Sequence, residues 1–209
     1  MRSIELVIFD LDGTLVDSAQ DIAIHVNKVL LKLRGKGVSL EEIRKSIGNG
    51  ARSLLMNFFK PEELEQALEL FLSYYRTEPV IYTRTYEGIM ETLQELREKG
   101  IFLAVATNKP HDITLSVLEK LGMLDLFHEV IGADVLPEKK PSPMPLLEIA
   151  KRLKVEPAKA LMVGDSKTDI EAGIRAGMKT AYVTWGYKPS EIEPDYTITH
   201  PYQILELIG

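Results

Sequence analysis

Four aspartates and one lysine stand where short apolar runs give way to polar residues. Asp10-Leu11-Asp12-Gly13-Thr14 follows one such run, and Thr107-Asn108-Lys109-Pro110 follows another. Gly164-Asp165-Ser166 follows a third, with Asp169 one helical turn later, and Lys139-Lys140-Pro141 precedes a helical pattern. Four carboxylates at one rim repel one another. A divalent cation relieves that repulsion, and hard oxygen donors select Mg²⁺ over Zn²⁺. With a phosphate present, the cation and Lys140 also neutralise the substrate. The Thr107 hydroxyl and the free N–H groups at a helix start just after Pro110 suit phosphate oxygens. The pattern points to metal-assisted phosphoryl transfer with a carboxylate available as nucleophile.

Taken singly, each residue has a plainer use. Asp12-Gly13 makes a tight turn, Thr107 and Ser166 cap helices, Asp169 complements a helix dipole, and Lys140 sits on a solvated surface. What favours chemistry is their joint occurrence around successive strands, provided those strands share one edge.

The elements supply that edge. Ile4–Phe9, Ile101–Ala106, Glu129–Ala133, Ala160–Val163 and Thr180–Thr184 are short, rich in β-branched or aromatic residues, and read as strands. Gly88–Lys99, Asp112–Leu121, Pro145–Leu153 and Asp169–Ala176 carry apolar residues at helical spacing, and Gly100, Gly122 and Gly177 stop three of them. Nearly continuous apolar strands alternating with amphipathic helices predict an α/β fold, a doubly wound parallel sheet covered on both faces. In such a sheet ligands bind beyond the carboxyl ends of the strands, where these polar residues fall. From about Val16 to Arg84 the rhythm breaks into helical patterns without a convincing strand. This predicts a helical cap over residues 16–84 inserted after the first strand, with 1–15 and 85–209 forming the core.

Composition narrows the alternatives. The 209 residues are 45% apolar and 27% charged, an ordinary globular balance. A formal charge of −6 disfavours nucleic acid and anionic lipid as broad partners. There is no cysteine, which removes disulfides, thiolate metal sites and cysteine nucleophiles. The scattered His25, His111, His128 and His200 have no metal-binding spacing. No apolar run reaches the length of a membrane span, and Glu5 and Asp10 interrupt the N-terminal run too early for a signal peptide, despite Arg2. A cytoplasmic monomer or homodimer acting on a small phosphorylated substrate, with no nucleic acid and no membrane, is the expectation.

The run Phe9-Asp10-Leu11-Asp12-Gly13-Thr14-Leu15-Val16-Asp17-Ser18 resembles the first motif of the haloacid dehalogenase superfamily, and Thr107-Asn108, Lys140-Pro141 and Gly164-Asp165-Ser166 with Asp169 resemble its other three, in order. The resemblance spans nearly the whole chain and implies that superfamily's Rossmann-like core and helical cap. Within it, Ile47-Gly48-Asn49-Gly50, Thr107-Asn108-Lys109-Pro110, Lys139-Lys140-Pro141 and Trp185-Gly186-Tyr187 resemble the bacterial phosphoglycolate phosphatases. The resemblance implies Asp10 as nucleophile and Asp12 as acid and base. It implies Thr107 and the Asn108 backbone as phosphate holders and Lys140 as charge balance. Mg²⁺ would be held by Asp10, the Asp12 carbonyl oxygen and Asp165, with Asp169 a secondary metal or Lys140-orienting group. An acid at Asp12 favours phosphate esters or anhydrides over halides and phosphonates. Other substrates of the same chemistry, pyrophosphate or a sugar phosphate, stay open at this point. So does a receiver-type phospho-acceptor, against which the cap and Asp12 speak.

Two features remain less defined. Gly48-Asn49-Gly50 reads either as a loop closing over substrate or as a plain turn between helices. Arg52 beside it has no assigned role, and Trp185 and Tyr187 after the last predicted strand either line the site mouth or pack into the core.

Overall fold

The computed structural model describes residues 4–209; Arg2 and the first residues of the predicted core range lie outside the described residues. Strand β1 (Leu6–Phe9) is the centre of a sheet whose other members are β4 (Phe102–Ala106), β5 (Glu129–Ile131), β6 (Ala160–Gly164), β7 (Lys179–Val183) and β8 (Tyr196–Ile198). Their order is β5-β4-β1-β6-β7-β8, and every pairing is parallel. From β1 the chain first builds outward through β4 and β5, then crosses to β6 on the other flank. That reversal opens the crevice at the carboxyl ends of β1, β4 and β6.

The strands read as continuous apolar runs because both faces are covered. Alternate residues sort into two cores. Leu6, Ile8, Ala104, Ala106 and Met162 pack toward α7 (Met144–Leu153) and α8 (Lys167–Arg175). Val7, Phe9, Leu103, Val105 and Val163 join the other core, which α5 (Ile89–Glu98) and α6 (His111–Lys120) cover. A final short helix, α9 (Ile204–Leu207), buries Ile204 against the same face. The predicted strands and helices shift by at most two residues at their ends. Strand β8 is not among the predicted strands, since its three residues follow a Pro- and Glu-rich stretch with no apolar run. It is an edge strand, half exposed, and needs little hydrophobicity.

Between β1 and β4 lies the insertion. Strand β2 (Val16–Asp17) pairs antiparallel with β3 (Arg84–Thr85), and the chain between them forms α1 (Ala19–Arg34), α2 (Leu40–Arg44), α3 (Ala51–Met56) and α4 (Leu64–Thr77). Sequence periodicity predicts only helices here. These two-residue strands carry no period of their own and exist because the outgoing and returning chains lie side by side. Asp21 locks that return: its carboxylate accepts the Ile81, Tyr82 and Thr83 N–H groups at 2.9, 2.8 and 2.9 Å. Ser39 and Glu42 form a capping box that starts α2. In the helical layer His25 is fully buried, tilted against the Tyr75 ring and edge-on to Phe71, with its Nε2 at 2.9 Å from the Glu78 carbonyl. Among the described residues no helix is long and apolar enough to cross a membrane.

Candidate active site

Chain geometry brings the predicted residues together. β1 delivers Asp10 and Asp12, β4 delivers Thr107 and Asn108, and β6 delivers Asp165, at neighbouring strand ends. Lys140 reaches in from the loop before α7. Its Nζ lies 3.0 Å from Asp10 Oδ1 and 2.6 Å from Asp169 Oδ1, and all three side chains are buried. The other Asp169 oxygen accepts from the Ser166 N–H at 3.1 Å and the Ser166 hydroxyl at 2.7 Å, capping α8. Asp169 is therefore clamped from one side by its own helix start and presents its second oxygen to Lys140.

Asp10, Asp165 and Asp169 each offer an oxygen within 4.8 Å of the others. Such a buried carboxylate set is badly under-compensated by one lysine. Burial, reinforced by Asp169 and only partly offset by Lys140, pushes the Asp10 carboxyl up to about 7. Burial and the charges of Asp169 and Asp10 drive Asp165 upward as well. A hard divalent cation fits a cluster of this kind, because oxygen donors with surplus negative charge are what it requires. Asp165 is further fixed by the Tyr187 N–H at 2.7 Å and by the Thr14 hydroxyl at 3.5 Å. Three glycines make room for these carboxylates. A Cβ at Gly13 would stand 2.4 Å from Asp165 Oδ2, one at Gly186 2.1 Å from Asp165 Cβ, and one at Gly164 2.3 Å from Asp169 Cβ. Gly13 also needs its freedom, since its φ is +85°.

Asp12 points elsewhere. Both its oxygens lie 3.0 Å from Lys109 Nζ, and Oδ1 accepts from the Ser18 hydroxyl at 2.5 Å. Lys109 also donates to the Tyr75 hydroxyl at 2.6 Å, and its Nζ stands 4.3 Å from the centre of that ring. Burial pulls the Lys109 ammonium down, but Asp12 and Tyr75 more than reverse this, so the group is held protonated. Burial pushes the Tyr75 phenol up to about 12, which keeps it neutral.

Asp10, Asp12, Thr107 and Asn108 line a space of about 470 Å³ between sheet and helical layer, part of it open to solvent. The helical layer contributes Ile22, Ile47, Leu54 and Phe71 to its wall. The Gly48–Gly50 loop docks onto core loops from above it: Asn108 Nδ2 donates to the Gly48 carbonyl at 3.2 Å and to the Lys140 carbonyl at 2.9 Å. Lys139 donates to the Asn49 carbonyl at 2.8 Å, and Thr168 to Asn49 Oδ1 at 2.9 Å. Of the two readings of this loop, the closing one has these contacts in its favour. The Asn108 side chain is thus a clamp, which leaves its backbone for a ligand.

A sequence model for haloacid dehalogenase-like hydrolases matches residues 7–183, a span that contains all four superfamily motifs above, while Trp185-Gly186-Tyr187 lies just beyond it. The chain belongs to the haloacid dehalogenase-like hydrolase family. Among members of the family, it is 42% identical to the phosphoglycolate phosphatase of Aquifex aeolicus (strain VF5) over 204 residues, covering 97% of this chain and 96% of that one. It is 37% identical to the phosphoglycolate phosphatase of Vibrio vulnificus (strain CMCP6) over 221 residues, covering 99% and 97%. The crystal structure of a predicted phosphoglycolate phosphatase from Haemophilus somnus 129pt superposes with a TM-score of 0.90 at 32% identity, covering 99% of this chain and 98% of that one.

Five side chains at the site, Lys109, Ser18, Tyr75, Tyr187 and Trp185, take parts that are not among the expectations from sequence. Lys109 stands two residues after Thr107 in a loop that directly follows a strand, and that position was a usable signal. Ser18 lies at the end of the first motif. Tyr75 offered no signal, because on α4 it is one more aromatic of an amphipathic stripe. Tyr187 accepts the Ser18 and Ala19 N–H groups at 2.7 and 3.1 Å and donates to Asp17 at 3.0 Å, so it ties the start of α1 to Asp165. Trp185 donates to the Thr14 carbonyl at 3.0 Å and braces the same turn. Arg52 points outward and pairs with Glu65 at 2.6 Å, away from the enclosed space.

Proposed function

We propose that this chain is a Mg²⁺-dependent phosphatase that hydrolyses 2-phosphoglycolate to glycolate and phosphate through a phosphorylated Asp10. The observation that carries it is the buried Asp10–Lys140–Asp169–Asp165 cluster beside a pocket that Asp12 also lines. The family, and relatives named phosphoglycolate phosphatase along nearly their whole length, support the phosphomonoesterase activity and this substrate. A space set between the strand ends and an apolar helical wall suits a small ester rather than a nucleic acid or protein phosphoryl group.

Asp10, Asp165 and the Asp12 carbonyl would hold Mg²⁺, with Asp169 beside them. Bound Mg²⁺ supplies charge neutralisation for the carboxylates and the phosphoryl oxygens. Lys140, kept in place by Asp169, steadies the Asp10 carboxylate and adds positive charge where the phosphoryl oxygens lie. A carboxylate oxygen of Asp10 attacks phosphorus as the ester P–O bond breaks, and Asp12 gives its proton to the departing alkoxide oxygen. Asp12 then takes a proton from water, whose oxygen attacks phosphorus and breaks the bond to Asp10. Thr107 and the Asn108 N–H hold the phosphoryl oxygens throughout. The partner is a small phosphorylated metabolite and the compartment the cytoplasm.

Phosphate release from 2-phosphoglycolate, sugar phosphates and pyrophosphate, with and without Mg²⁺, tests this. Mg²⁺-dependent release from 2-phosphoglycolate, lost by at least about a thousandfold in Asp10→Asn, is expected. Faster release from another ester would discard the substrate and keep the chemistry. A long-lived phosphorylated Asp10 without turnover would discard the enzyme.

A further inference from the structure

Lys109 is a buried cation whose partners come from both halves of the molecule. Its side chain is 4% exposed, Asp12 belongs to the core, and Tyr75 belongs to α4 of the helical layer. Among the described residues lining the space between sheet and helical layer it is the single cation. Lys140 does not line that space and is already bracketed by two carboxylates. The wall facing Lys109 from the helical layer is apolar, with the Tyr75 hydroxyl as its polar feature.

Three physical points give Lys109 a ligand. The two Asp12 oxygens stand at the same 3.0 Å, the arrangement of one N–H shared between them. With a second N–H on Tyr75, one of the three donors remains for a ligand. The ester oxygen must lie against Asp12 to receive its proton, so the next atoms of the leaving group lie against Lys109. A carboxylate on those atoms can accept the spare Lys109 N–H as a charge-assisted hydrogen bond inside a space that holds no other cation among its described lining residues.

We propose that Lys109 is the specificity-determining cation of the pocket: held between Asp12 and the Tyr75 hydroxyl, it receives a carboxylate on the leaving-group side of the phosphate ester. Selection of a carboxylated ester then depends on the helical layer being in place, because Tyr75 aims the ammonium. The inference rests on the phosphomonoesterase reading above and extends it to how the substrate is recognised.

The test compares 2-phosphoglycolate with 2-hydroxyethyl phosphate, an ester of the same length that lacks the carboxylate. Steady-state kinetics are measured on the wild-type chain, Lys109→Met and Tyr75→Phe. Wild type favours 2-phosphoglycolate. In Lys109→Met that preference falls by roughly tenfold or more, with a raised KM for 2-phosphoglycolate, the scale of one lost charge-assisted hydrogen bond. Tyr75→Phe keeps the packing and moves the preference in the same direction by a smaller factor, and it carries the test alone should Lys109→Met not fold. Equal losses on both esters, confined to kcat, would show that Lys109 only steadies Asp12 and would overturn the inference while leaving the substrate assignment standing. A wild-type chain that does not favour 2-phosphoglycolate would overturn the substrate assignment and the inference together.

Discussion

Carboxylates that repel one another in a dry pocket are an unstable arrangement until something positive joins them. Asp10 and Asp165 are pushed upward by burial and by each other's neighbourhood, and Lys140 alone does not offset this. Cation binding should therefore stabilise the fold as well as enable chemistry. Raising Mg²⁺ to a hundred times its dissociation constant is expected to add about 2.7 kcal/mol of stability. Thermal melts with and without Mg²⁺ would show this as a raised Tm in the wild type. In Asp165→Asn the shift should be largely lost. An equal shift in both would remove Asp165 from the metal site. At this scale the residues were legible in the sequence where they directly follow a strand, as Asp10, Thr107 and Asp165 do. The parts Ser18 and Tyr187 play were not legible, because they hold Asp12 and Asp165, and a holding residue has no type or spacing that announces it.

At the scale of elements, the return of the chain from the helical insertion depends on packing and caps more than on sheet pairing, since β2 and β3 share only two residue pairs. Asp21 and His25 on α1 both serve that return, Asp21 through the Ile81–Thr83 N–H groups and His25 through the Glu78 carbonyl. Burial holds the His25 imidazole below its ordinary value, with the nearby Glu78 carbonyl opposing this and Lys28 assisting it. The native state thus keeps His25 neutral while the unfolded chain protonates it near pH 6.5. Its stabilising contribution is complete above that pH and shrinks as pH falls below it. The Tm is expected to fall between pH 6.5 and 5 in the wild type, and less steeply in His25→Gln. Parallel profiles would remove His25 as the source. The helices of the insertion were readable from their apolar spacing. The two hinge strands were not, because two residues are too few to show alternation.

The molecule as a whole works by apposing two layers over one small space. Asn49 touches Lys139 through its carbonyl and Thr168 through its side chain, linking the helical layer to the loops before α7 and at the start of α8. Asn49→Ala keeps the backbone contact and loses the side-chain one. It is expected to raise KM about three- to tenfold with kcat little changed, the range of one partly exposed hydrogen bond. A drop in kcat with unchanged KM would instead place the loop in the chemical step.

The sequence by itself determined the alternation of buried strands and amphipathic helices, the insertion after the first strand, and the chemical kinds gathered at the strand ends. Those are local properties: periodicity, turn residues and the position of a polar residue after an apolar run. Tertiary structure alone decided what meets across the crevice. Lys109 paired with Asp12 and Tyr75 joins three segments far apart in the chain, and Arg52 turned outward to Glu65 while lying next to a site loop. Such pairings depend on how the helical layer is seated on the sheet, which no local pattern encodes.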